Sequence, residues 1–116
     1  MDVSMDGRLL RGVANDAGGE VDSETIFRFH QQEDLVWAEY EGGAIRRGYL
    51  VGLVEDDTLD LRYAHVSVDG DTATGRTVDR VEVLADGRVR LHERWAWDSR
   101  DGEGTSVLEE IAPPLH

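Results

Sequence analysis

The sequence predicts an all-β protein folded as one eight-stranded antiparallel up-and-down barrel. Three observations predict it. Almost every segment alternates apolar and polar residues with a period of two, the mark of a half-buried strand. The breaks are short and rich in Gly, Asp and Asn, as hairpin turns are. No segment has the helical period of the crossover, about a dozen residues long, that parallel strands need. Sequence neighbours therefore pair, and eight paired strands invite closure. Closure removes exposed edges and leaves an interior wide enough for side chains or one small ligand. A two-sheet β-sandwich is the alternative architecture.

The elements run in order. Gly7–Ala14 is a first strand with Leu9, Arg11 and Val13 on one side. Residues 15–23 (NDAGGEVDS) form a loop. Thr25–Gln31 alternates Phe27 and Phe29 against Arg28 and His30. Residues 32–34 turn the chain into Leu35–Tyr40 (LVWAEY), which is strongly β-prone. A tight turn at 41–43 leads into Ala44–Glu55, a long strand whose Gly48 and Gly52 fit the bending of a small barrel. Leu59–Val68 and Thr72–Leu84 follow, then the hairpin signal Ala85-Asp86-Gly87. Arg88–Trp97 alternates cleanly. After the polar loop 98–104, Thr105–Ile111 is the last strand, with a helical turn over Val107–Ala112 as the other option. The 116 residues form one domain, and the tail Ala112–His116 is expected to be loose.

Composition excludes several function classes. There is no cysteine, which removes disulfides, thiol catalysis and thiolate metal sites. No apolar run approaches the roughly 20 residues of a membrane span, and the first residues do not read as a signal peptide. A cytoplasmic location is the expectation. Twenty-five acidic residues face twelve basic ones, every one of them arginine, for a net charge of −13. That charge repels phosphate backbones and anionic membrane surfaces, so neither nucleic acid nor membrane is an expected partner. High acid without lysine also resembles the surface of halophilic proteins from salt-rich cytoplasm, where salt screens the repulsion between carboxylates. The melting temperature should accordingly rise from low to molar salt; a flat profile would contradict this reading.

The most informative strand is Arg88–Trp97. Val89, Leu91, Glu93, Trp95 and Trp97 share one face; Arg88, Arg90, His92, Arg94 and Ala96 share the other. The charged face must be outside, which strands Glu93 on the apolar face beside two tryptophans. A buried carboxylate must pair, bind a ligand or take up a proton. One reading has Glu93 meeting an arginine or a tyrosine hydroxyl and doing nothing more than hold register. The other has it anchoring a ligand's donor groups. On LRYAH (61–65), Leu61, Tyr63 and His65 oppose Arg62 and Ala64, and Val66 and Val68 alternate with Arg62. Either set fits the interior, and a bulge near Ala64 would serve both. Tyr63 and His65 reach Glu93 in one case; an Arg62–Glu93 pair forms in the other. Trp37, Tyr40, Tyr49, Phe27 and Phe29 add aromatics for core or pocket walls.

Known chemical motifs are absent. The four histidines, His30, His65, His92 and His116, are far apart, and no metal site or cofactor is expected. The acidic turns at 55–57 and 69–71 lack calcium-loop spacing. There is no nucleophile elbow and no phosphate-cradling glycine loop.

The stretches GEVDSETIFRF (19–29), YEGGAIRRGYLVGL (40–53), LRYAH (61–65), DGRVRLHERWAW (86–97) and GTSVLEEI (104–111) resemble a family of small bacterial and archaeal avidin-like (lipocalin-like) β-barrel proteins. The resemblance implies the same barrel and carries no established catalytic residues. Some members bear the label N-acetylglutamate synthase. Acetyl-CoA chemistry of the usual kind needs an α/β fold with a glycine turn at a helix N-terminus, and this sequence has neither.

The residues point first to a non-catalytic module that binds a small organic molecule. Trp37, Tyr40, Tyr63, Trp95 and Trp97 would wall the pocket, and Arg62, His65 and Glu93 would orient the ligand. The alternatives are an enzyme using Glu93 and His65 as an acid–base pair, and a packed barrel acting through its surface or as an oligomer. A homodimer is the expected assembly if an outer face associates, and Trp37 also fits there, beside Leu35.

Overall fold

The computed structural model describes residues 3–15 and 19–111. Eight strands follow one another: β1 (Leu9–Asn15), β2 (Ile26–Gln32), β3 (Leu35–Gly42), β4 (Ile45–Glu55), β5 (Thr58–Ser67), β6 (Thr72–Val83), β7 (Val89–Trp97) and β8 (Glu103–Glu110). Each pairs antiparallel with its sequence neighbour, and β8 returns to β1, so the sheet closes into a barrel in strict chain order. The closing seam is carried by β1, whose Leu10 stands opposite Phe27 on one side and Glu110 on the other. A single closed ring replaces the sandwich alternative. Val107 to Glu110 is strand, because Leu108 and Glu110 alternate inward against β7, so the helical-turn option does not hold there. The tail expectation for 112–116 lies outside the described residues.

Alternation decides what is buried. Leu10, Phe27, Phe29, Val36, Leu59, Leu61, Val89, Leu91 and Leu108 all face in and form the core. Each such side chain contributes about 1.5–3 kcal/mol of burial. One end of the barrel is sealed. There Met5 is fully buried, its backbone nitrogen bonded to Gln31 Oε1 at 2.8 Å, and Gly7 and Arg8 extend the ladder along Phe29. Glu110 ties β8 to β7 and to the segment before β1 at this end, accepting from Arg8 at 2.7 Å and from the Val89 backbone N–H at 3.0 Å. The other end carries the β1–β2 and β7–β8 loops.

On β5, Leu59, Leu61, His65 and Ser67 are buried, Tyr63 is half-buried, and Arg62 and Ala64 are exposed. The β5–β6 register runs unbroken from Thr58 to Val66, and on the other side the ladder shifts on β4, between Ile45 and Arg47, so β5 itself carries no bulge at Ala64. Val68 is instead an exposed valine, which is why the local pattern was ambiguous.

The glycines do more than permit bending. A Cβ on Gly48 would fall 2.3 Å from Cζ of Tyr40, and one on Gly75 would fall 2.3 Å from the Tyr63 hydroxyl. Tyr40 stands opposite Gly48, and Tyr63 opposite Gly75. Two inward tyrosine rings therefore lie over cross-strand glycines, which make room for them.

Candidate functional site

At the open end a cavity of about 50 Å³ sits inside the barrel mouth. That is room for a few ordered waters or a very small molecule as it stands. Its walls include Phe27, Tyr40, Tyr63, Trp95 and Trp97; Glu93, Ser106 and Thr77 line it, and Asn15 and Glu20 come from β1 and the loop after it. Of the residues singled out from the sequence, Tyr40, Tyr63, His65, Glu93, Trp95 and Trp97 are brought together here. Arg62 and Trp37 are not. Arg62 points outward from β5, so no Arg62–Glu93 pair forms. Trp37 is on the outer side of β3, stacked on His30 with ring centroids 5.3 Å apart. Both corrections follow from strand parity, since Val36 and Ala38 take the inward positions beside Trp37.

Glu93 has neither an arginine nor a tyrosine partner, so the first of its two readings does not hold in that form. Ser106 donates to its Oε1 at 2.8 Å, and its other partner is Asp79. The three stand in one row across the sheet, Asp79 opposite Glu93 and Glu93 opposite Ser106. Asp79 has no solvent exposure. Its Oδ1 accepts from Thr77 at 2.6 Å, and its Oδ2 has no donor to accept from. Two ionised carboxylates cannot bond to each other, so a proton must lie between them. Burial, the Glu93 charge and the shared hydrogen bond hold Asp79 well above the ordinary carboxylate range, and burial raises Glu93 too, with its bonds to Asp79 and Ser106 opposing. The pair therefore holds one proton and one negative charge between them.

A second polar chain crosses the mouth. The Tyr40 hydroxyl lies 2.9 Å from His65 Nδ1, and His65 Nε2 lies 3.3 Å from Glu20. Burial lowers the His65 pKa, with Glu20 opposing. The neutral ring then accepts at Nδ1 and donates at Nε2. Burial, reinforced by nearby negative groups, raises both Tyr40 and Tyr63, so both hydroxyls stay protonated donors. Glu20 is also paired with Arg100, whose guanidinium lies 4.3 Å over the Trp97 ring. The indole of Trp95 donates to Asn15 at 3.0 Å, and Tyr63 donates to the Ala96 carbonyl at 3.3 Å. Trp95 and Trp97 stand 5.5 Å apart. Among the described residues, no three His, Asp or Glu side chains converge as a metal ion would require.

The family model for avidin-like proteins matches residues 3–111. The chain belongs to the avidin-like family. No curated relative and no solved structure matches it. The match spans every strand of this avidin-like barrel, including all the cavity residues.

Sequence reasoning missed Asp79, Ser106, Thr77, Asn15 and Glu20. The first three had a usable signal. Ala73, Thr77, Asp79 and Val81 share parity on β6, and Ser106 and Leu108 on β8, so extending the alternation would have placed them inside. Asn15 and Glu20 belong to a strand end and a loop, where no period exists.

Proposed function

We propose that this avidin-like barrel is a non-catalytic binding module that holds one small organic molecule at its mouth. The family commonly binds small ligands. The observation that carries the reading is the cavity itself, apolar-walled, closed below by Met5 and the core, and floored by a buried acid. Pockets that combine aromatic walls with a few converging polar groups are the usual form of small-ligand sites. The acid–base alternative is less well supported, because both His65 nitrogens are already engaged, by Tyr40 and Glu20. Native mass spectrometry of the protein purified from its own host is the direct test, with a retained small molecule expected. Trp97→Ala should weaken its retention about tenfold, the worth of one stacking wall. A protein that carries no extra mass, and whose tryptophan emission no small molecule perturbs, would refute the reading.

A second reading concerns assembly. Avidin-like proteins often form oligomers. Leu35, Tyr49, Val51 and Leu53 are exposed on the outer face of β3 and β4, with Trp37 among them. Leu35 faces Leu53, and Trp37 faces Val51, so these side chains make one apolar patch. We propose that a homodimer forms through it. Sedimentation should give a dimer that Val51→Glu converts to monomer; a wild-type monomer at all concentrations rejects it.

A further inference from the structure

The chemistry of the cavity narrows what it takes, on the binding reading above. Its lining holds Glu93 and Glu20 and no arginine, in a chain without lysine. Arg100 lies outside that lining, committed to Glu20 and to the face of Trp97. The other polar groups facing the space are neutral: His65, Tyr40, Tyr63, Thr77, Ser106 and Asn15. Below Glu93, Asp79 is sealed from solvent and stands outside the lining.

Three consequences follow for a ligand. An anion would add its charge to that of the acid pair in a poorly solvated space. A neutral apolar molecule would displace water from Glu93 and return nothing to it. A cation compensates the charge, and N–H groups suit an ionised carboxylate, which only accepts. The walls add a second preference: Tyr63, Trp95 and Trp97 line the space, and aromatic rings attract cations.

We propose that the cavity selects a small planar organic cation with N–H donors, of the amidinium or guanidinium type, seated on Glu93 beside the rings of Tyr63, Trp95 and Trp97. Acetamidinium, acetamide and acetate test this, because they share a shape and differ in charge. Each is titrated into the protein while the indole N–H signals of Trp95 and Trp97 are followed by NMR. Acetamidinium should bind at least about tenfold more tightly than acetamide, and acetate should not bind. In Glu93→Gln the preference should fall to within about twofold. Asp79→Asn keeps the Glu93 carboxylate and should keep the preference; with the wild-type charge series it decides the matter if Glu93→Gln does not fold. Equal binding of acetamide, binding of acetate, or a preference that survives Glu93→Gln overturns the inference and leaves the small-molecule reading standing. Silence from all three probes also overturns it; if native mass spectrometry then finds a retained molecule, the binding reading survives, and if it finds none, both fall.

Discussion

Asp79→Ala is expected to destabilise the barrel by about 3–5 kcal/mol at neutral pH, because it leaves the buried Glu93 carboxylate without the acid that shares its proton. Asp79→Asn should recover most of that loss, since the amide keeps the shape and supplies an N–H to Glu93. The pH dependence is the sharper test. Both acids are raised in the folded state from ordinary values of 3.8 and 4.5, so the folded protein holds more protons than the unfolded chain. Their stabilising contribution is full below those ordinary values and is lost as pH rises through the folded ones. His65 works on the acid side. Its folded pKa is lowered from 6.5, so its contribution is present above 6.5 and is lost as pH falls through the lowered value. Wild-type stability should therefore fall on the alkaline side, and Asp79→Asn should flatten that limb and leave the acid limb alone. At high pH the asparagine variant should exceed wild type by about 1.5–3 kcal/mol, the worth of a buried hydrogen bond to a charged group. Thermal melts across pH measure this. An alanine variant as stable as wild type, or a wild type that gains stability into the alkaline range, would show that the two acids share no proton.

Gly48→Val should cost about 3 kcal/mol and disrupt the cavity. The new Cβ would meet the Tyr40 ring at 2.3 and 2.4 Å, well inside contact distance. The ring has little freedom to retreat. Phe27 stacks on it at 4.6 Å, and its hydroxyl is held by His65 at 2.9 Å. Overpacking of this kind costs about 1–3 kcal/mol, and loss of the hydroxyl bond adds about 1 kcal/mol. Combining Gly48→Val with Tyr40→Ala should cost less than the sum of the two, because the clash disappears with the ring. Additive losses in denaturant melts would mean that the glycine serves backbone curvature and not the tyrosine.

The barrel was legible because nearly every strand repeats with a period of two and most breaks are short turns. Glu93 was legible for the same reason: the arginines at 88, 90 and 94 force the opposite parity inward. Its partner was not. Asp79 reads as one more acid among 25, and its importance comes from standing opposite Glu93, a pairing set by the length of the β6–β7 hairpin. Arg62 and Trp37 show the converse limit. Each was assigned by chemical type, as a charge or a ring suited to a pocket, and the inward parity of their strand neighbours sends both outside.

By itself, then, the sequence determined the strand number, the antiparallel order and which face of β7 is buried, because these depend on local alternation and short connections. Only the tertiary structure decided the proton-sharing acids, the Tyr40–His65–Glu20 chain and the seating of tyrosines over glycines. Each of these joins residues from different strands or loops. Their contact depends on register and closure, and no local pattern encodes either.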